Sequence, residues 1–476
     1  MEKNIINSGI KNIIYMLAAQ GVSLSLSFLT AFILPMFLGV EQFGYWQIYL
    51  LYTAYVGIFC MGYNDGLYLR YGNYDYDELP FDLLRASIKP FLMMLFVLTC
   101  VIITVLVLGE SSDKTFVFLM VASNIFIQGL NGTFTIVYQF TNRIKLYSVS
   151  TVLNKILLLF IISSLLVMNI NNYQVIIMAD IAIKIVVLFF NIYFCKELLF
   201  GKTSSLISGF LEMKENMQVG ISLMVANLMG MLIFGIGNFL VERFLRVQEY
   251  GMYAFAISST NLTILFISSI SLALYPMLKR LSEKSISYYY EKINIILCTL
   301  IFGMLFLYFP IYWVVEHIMT EYRPILSYLY FLFPIVVTQG KIQLLVNTYY
   351  KILREEKAML KANISSVIVF LIIGVPAFFV FRSVTWIAVC TLITMVWRCY
   401  ASEIYLKKKL GIKEFKNIFL ELTIIALFII FARFEHIILG MLCHLAVVCL
   451  YFFIHFNVIK SYFIKIVRSL LPNKDI

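Results

Sequence analysis

Five ionisable residues fall inside long apolar segments of this chain: Lys155, Asp180, Lys184, Lys341 and Arg398. An unpaired charge at such depth costs at least about 2.5–3.5 kcal/mol, so each needs a partner, a route to the surface or a guest. Lys155 lies some eight residues into its segment, about 12 Å at 1.5 Å per residue, too far for its ammonium to reach the interface easily. Asp180 and Lys184 are spaced i,i+4 in the acid-before-base order that lets them neutralise each other on one helix face. For Lys155, Lys341 and Arg398 the spans show no evident acidic partner. Either they pair or snorkel in ways the sequence hides, or their surplus charge meets an anionic guest, and the surplus favours the guest. This is binding chemistry. A Gly-rich phosphate loop and a zinc spacing are both missing, and the loops on one side are very short. No catalytic residue, metal ligand or cofactor is therefore assigned.

Uncharged polar residues extend the pattern. Gln20, Ser23, Ser27 and Thr30 recur at helical spacing on one face, as do Asn124, Gln128, Asn131 and Thr135. An offset of about 207 residues carries Gln20 onto Asn227, and Asn131 onto Thr338, the neighbour of Gln339 and Lys341. Such stripes face either a neighbouring helix or a watery cavity. Recurrence at corresponding places favours a cavity, which makes Gln20, Asn131, Asn227 and Gln339 candidate binding residues. Asp65 lies deeper than the boundary residue Arg70 and is a candidate for coupling to a cation or pairing with a lysine. His444 and His455 read as packing residues. The eight cysteines fall in or beside apolar runs with no CxxC pair and read as small core residues.

The elements that must hold these residues follow from composition. Hydrophobic residues make up 62% and charged residues 13% of the 476, against about 45–50% and about 25% in soluble domains. The chain needs lipid as its solvent. Runs of about 20 apolar residues predict helices at 11–38, 44–69, 88–108, 115–140, 147–168, 173–195, 217–241, 250–277, 293–315, 324–350, 358–381, 384–406, 415–433 and 436–458. The fold expected is all-α, with about fourteen spans. The first span lacks a small-residue cleavage site and reads as a helix, not a signal peptide.

Alternate loops between these spans hold 27 of the 37 Lys and Arg, against six in the other set and four inside spans. By the positive-inside rule both termini are expected in the cytoplasm. The net charge of +11 then reflects a membrane surface and not nucleic acid.

A repeat organises the chain. Phe37-Leu38-Gly39-Val40-Glu41-Gln42-Phe43-Gly44-Tyr45-Trp46 returns as Phe244-Leu245-Arg246-Val247-Gln248-Glu249-Tyr250-Gly251-Met252-Tyr253. This predicts two pseudo-symmetric six-helix lobes, 1–195 and 217–406, joined by a linker at 196–216. Two added helices at 407–460 and a basic tail at 461–476 follow, the tail expected to lie on the inner leaflet.

The first of these motifs is similar to the LG-x-x-x-[FY]-G-x-[WY] pattern of Wzx-type polysaccharide flippases, in the superfamily that includes MATE exporters and the lipid II flippase. The run Gly62-Tyr63-Asn64-Asp65-Gly66-Leu67-Tyr68-Leu69-Arg70-Tyr71 resembles that family's glycine-rich stretch closing on Arg. The resemblance implies two lobes about a cationic cavity that opens alternately to either side of a bacterial inner membrane. It implies an undecaprenyl-diphosphate-linked oligosaccharide as guest, flipped for surface polysaccharide such as O-antigen or capsule. A polymerase and a chain-length regulator are candidate partners. On this reading Lys155, Lys184, Lys341 and Arg398 attract the diphosphate, Asp180 tunes Lys184, and no enzyme activity is expected. The rivals are a MATE-like cation antiporter, which needs cavity acids, and a non-transporting membrane scaffold.

Overall fold

In lipid a backbone must satisfy its own hydrogen bonds, so apolar runs of spanning length fold as helices. The computed structural model describes residues 2–109, 114–279, 283–413, 416–457 and 459–460, without the side chains of 2–20, 22–26, 28–29, 265–279, 283–286 and 356. In chain order the helices are α1 (Glu2–Ala54), α2 (Tyr63–Tyr71), α3 (Phe81–Leu108), α4 (Thr115–Phe140), α5 (Ile144–Val167), α6 (Tyr173–Phe194), α7 (Leu206–Phe244), α8 (Val247–Lys279) and α9 (Glu283–Met304). Then follow α10 (Tyr308–His317), α11 (Leu326–Leu332), α12 (Ile335–Lys341), α13 (Asn347–Ile352), α14 (Glu356–Phe381), α15 (Val384–Lys409), α16 (Lys416–Phe431) and α17 (Ile437–Ile454). The described residues contain no strand. The fold is all-α, as expected.

Among the described residues nine helices are long and apolar enough to cross a membrane, or ten if the pair Thr320–Leu332 and Ile335–Ile352, bent by 48°, is one span. That count takes in neither α1 nor α8, whose side chains are described only in part, and two others of the expected fourteen segments are broken or short. The span expected at 44–69 is interrupted by a 3₁₀ turn at Val56–Cys60 and by positive φ at Met61 (48°) and Gly62 (80°). The helix at the expected 415–433, α16, has 16 residues. Pro334 accounts for the 48° bend, since its ring removes a donor and crowds the preceding turn. Conversely α7 begins at Leu206, inside the stretch expected to be a linker, where Ser205 Oγ accepts from Ser208 N at 3.2 Å as a helix cap.

The chain divides into two units, Met1–Ala254 and Phe255–Ile476. In the first, α1 packs on α5, α4 on α3 and α6, and α7 lies along α2 and α3. In the second, α15 packs on α14, α11 and α12, while α9 packs on α12 and α17. The sequence-repeat boundary at 196–216 is a different kind of division from this one, and the lobes drawn from it remain an expectation.

Glycines make two seams of the first unit possible. At α2–α7, a Cβ on Gly220 would lie 2.0 Å from Gly62 O and 2.3 Å from Gly66 N. At the repeat motifs, a Cβ on Gly44 would lie 2.5 Å from Val247 O, and one on Gly251 would lie 2.5 Å from Val40 O. The equivalent residues of the two copies thus pack reciprocally. Within the first copy Gly39, at φ 71° and ψ 171°, occupies a region only glycine enters readily, and there α1 breaks.

Because the atoms facing Gly220 are backbone, Gly220→Ala is expected to destabilise the protein by about 1–3 kcal/mol. This reads as a lower melting temperature in detergent, and an unchanged melting temperature would contradict the seam.

Candidate functional site: a cation and amide cluster in the first unit

The i,i+4 spacing on α6 places Lys184 Nζ 2.6 Å from Asp180 Oδ2. Tyr49, buried on α1, donates its hydroxyl to the same Oδ2 at 2.6 Å. Asn124 of α4 donates to Tyr49 Oη at 2.9 Å. Lys184 Nζ in turn donates to Tyr49 Oη at 3.2 Å and to Asn124 Oδ1 at 3.1 Å, and Gln128 Nε2 donates to Asn124 Oδ1 at 3.3 Å. Three helices therefore share one neutral knot. Asp180 is 4% exposed, so its charge is set almost wholly by this partnership.

The amide stripe continues along α4. Asn131 donates to Lys184 O at 3.1 Å and accepts from Asn191 Nδ2 at 2.9 Å. Asn64 of α2 accepts from Thr133 Oγ1 at 2.8 Å. For Asn124 and Asn131 the helix-to-helix alternative left open by the sequence is the one observed.

Lys155 of α5 differs from Lys184. Its ammonium donates to Ser27 Oγ of α1 at 3.4 Å, and among the described residues no carboxylate lies within ion-pair distance. Thr30 donates to Ser27 O at 3.1 Å, which steadies that turn of α1. The side chains of Gln20 and Ser23 lie outside the described residues. Asn227 is exposed on α7, away from the knot's hydrogen bonds. Asp65 is half-buried in the first turn of α2, where helix N-terminal dipoles favour a carboxylate, and no ion pair reaches it among the described residues.

In the second unit the cations also split into two kinds. Arg398 of α15 is 7% exposed with no carboxylate within ion-pair distance among the described residues. Lys341 corrects the expectation that it lacks an acidic partner. Its Nζ lies 2.6 Å from Glu403 Oε2 and closer still to Glu421 Oε2, with all three side chains fully buried. A lysine so committed is not available to a passing anion. The signal was present: Glu403 and Lys407 have the same i,i+4 acid-before-base spacing as Asp180 and Lys184. Gln339, on α12 beside Lys341, keeps a buried Oε1 with no hydrogen-bond donor among the described residues.

Arg70 is a second correction, since it is more than a boundary residue. It contacts Glu212 of α7, donates to Asn216 Oδ1 at 2.7 Å and pairs with Glu215 at 3.1 Å, while Tyr71 Oη donates to Glu212 at 2.7 Å. This ion network closes the α2–α7 seam beside Gly66 and Gly220. At the other end of α7, Glu242 pairs with Lys114 at 2.6 Å and accepts from Tyr52 at 2.8 Å. Both networks join residues more than 100 positions apart, which no local spacing reveals. His444 is a packing residue as expected, its Nε2 3.1 Å from Phe302 O and its ring 5.2 Å from that of Phe428. The cysteines are all free, but Cys100 and Cys449 are exposed and so are not core residues.

The profile of a family described as polysaccharide biosynthesis protein matches residues 10–282, more than half of the chain. The chain belongs to that family. Among solved structures it resembles the lipid II flippase MurJ in an inward closed conformation, at 12% identity and a TM-score of 0.62, covering 94% of this chain and 100% of that one. It also resembles an inward-facing multidrug resistance MATE transporter of the MOP superfamily, at 14% identity and a TM-score of 0.60, covering 83% and 99%. An outward-facing MATE transporter matches at 13% identity and a TM-score of 0.56, covering 84% and 96%. These likenesses give the chain a multi-pass transporter fold. No curated protein matches it.

Within the knot, Asp180→Asn leaves Lys184 without its counter-charge. The expected loss is at the lower end of about 3–5 kcal/mol, because the Lys184 side chain is 14% exposed. Adding Lys184→Met to Asp180→Asn should restore much of the melting temperature, and no recovery would refute the pairing.

Proposed function

We propose that this protein moves an undecaprenyl-diphosphate-linked oligosaccharide from the cytoplasmic to the outer leaflet of the bacterial inner membrane, as a step in making surface polysaccharide. Both termini are cytoplasmic in this reading. Membership of a polysaccharide biosynthesis family and a MurJ- and MATE-like fold support the class. The observation that carries the reading is the presence of Lys155 and Arg398, one in each unit, as apolar-span cations with no carboxylate within ion-pair distance among the described residues.

A charge left so in a low-dielectric setting is costly. A diphosphate arriving from the bilayer supplies the missing counter-charge at each residue, through charge-assisted contacts worth about 1.5–3 kcal/mol. Lys184 carries a weaker pull because Asp180 already neutralises it, and the knot's role is to fix the helices around it. Gln128 and Asn227, which keep polar surface free, offer hydrogen bonds to sugar hydroxyls. The rival cation antiporter draws its support from Asp65, the half-buried acid of α2. A drug-resistance assay of Asp65→Asn separates it, because the lipid-linked reading expects no change in resistance.

Lys155→Ala and Arg398→Ala are each expected to lower surface polysaccharide about tenfold or more at equal protein level, while Lys155→Arg retains most of it. Unchanged polysaccharide in both alanine variants would discard the assignment.

A further inference from the structure

The second unit holds a buried charge network that the reading above does not use. Lys341 of α12 sits between Glu403 of α15 and Glu421 of α16. Lys407 lies 3.2 Å from Glu403 Oε1 and 2.7 Å from Glu291 Oε1 of α9. Both lysines meet Glu403 off the line of a hydrogen bond, so those contacts are Coulombic. Three carboxylates thus face two ammonium groups. Glu403, Glu421, Lys341 and Lys407 have fully buried side chains, and the Glu291 side chain is 19% exposed.

Fully ionised, the network carries one negative charge more than its lysines cancel. Dry protein tolerates such an excess poorly, and tightly coupled carboxylates relieve it by sharing fewer negative charges than oxygens allow. The three carboxylates are compensated unequally. Glu403 is flanked by two ammonium groups. Glu291 has Lys407, a hydrogen bond from Asn417 Nδ2 at 3.0 Å, and partial access to water. Glu421 Oε2 accepts a hydrogen bond from Lys341, and its Oε1 accepts from Asn294 Nδ2 at 3.0 Å and Cys298 Sγ at 3.4 Å, whereas both Glu403 oxygens lack a hydrogen bond among the described residues.

The other described groups facing the network do not cancel the excess. Tyr290 of α9, Cys399 and Tyr400 of α15, and Tyr451 of α17 are neutral. Lys341 lies 5.1 Å from the centre of the Tyr400 ring. His455, just beyond α17, has a buried Nε2 with no partner, an arrangement that a charged imidazole with two donors cannot satisfy. Arg398 makes no ion pair with these carboxylates.

We propose that the Glu291–Glu403–Glu421 network shares one bound proton at neutral pH, making it a proton site of the second unit. The proton exchanges with water through the partly exposed edge at Glu291.

The test is infrared spectroscopy of the full-length protein in lipid nanodiscs, as a difference between wild type and Glu421→Gln. The expected result is a protonated-carboxyl C=O band in wild type at neutral pH that moves down in D₂O and is missing from the variant. Loss of an ionised-carboxylate band in the variant, with no protonated band in wild type, would overturn the proposal. Should Glu421→Gln not fold, wild type with ¹³C-labelled glutamate serves instead. A labelled band that disappears on alkaline titration supports the site, and its absence at neutral pH refutes it. A folded state that holds a proton the unfolded chain releases is favoured at lower pH and loses that advantage as pH rises. Wild-type melting temperature should therefore fall with rising pH above neutrality while that of Glu421→Gln stays flat, and parallel profiles would also count against the site.

Discussion

The structure turns on how each charge within a low-dielectric bundle is compensated. Asp180 neutralises Lys184 within a single helix, Tyr49 donates to Asp180 from a second, and Asn124 of a third donates to Tyr49 and accepts from Lys184. Lys341 and Lys407 are compensated by glutamates from three helices. Arg70 and Lys114 are compensated on α7, at its two ends. Breaking such a pair by removing one partner leaves a bare charge in the interior, a larger loss than the pair's own net worth. Compensation therefore fixes which helices are neighbours, and it is against this background that Lys155 and Arg398 stand out.

Much of this was legible in the residues, and the limits have physical causes. Apolar run length gave the helical segments, because hydropathy reports directly on what lipid will accept. It could not give the interruption near Gly62, which arises from the close approach of Gly220 on a distant helix. The Asp180–Lys184 pair was visible because its geometry is local. The partners of Lys341 and Arg70 were not seen, since their geometry depends on packing between helices far apart in sequence. The amide stripe on α4 was read as facing water or a neighbour, and a one-dimensional pattern cannot separate those. Coordinates did so for Asn124 and Asn131.

Breaks in regular helix accompany the buried charges. Five residues of π-helix, Ile342–Val346, follow Lys341 directly, and Pro334 bends the chain seven residues before it. A π turn widens the helix by one residue and re-aims the side chains around it, and such turns recur at functional sites. Here it lies where one lysine must reach carboxylates on two separate helices. In the first unit Tyr49 and Asn124 bring their polar groups to α6 instead.

The reciprocal packing of Gly44 on Val247 and Gly251 on Val40 has an evolutionary consequence. A contact in which residue i meets j, and the counterpart of i meets the counterpart of j, is the signature of a two-fold interface between identical subunits. Found inside one polypeptide, it is the contact that a half-length ancestor pairing with itself would leave after duplication and fusion of its gene. Within one chain the two copies need not match residue for residue, and Gly39 and its counterpart Arg246 do not: one holds a backbone that glycine alone adopts readily, and the other carries a charged side chain.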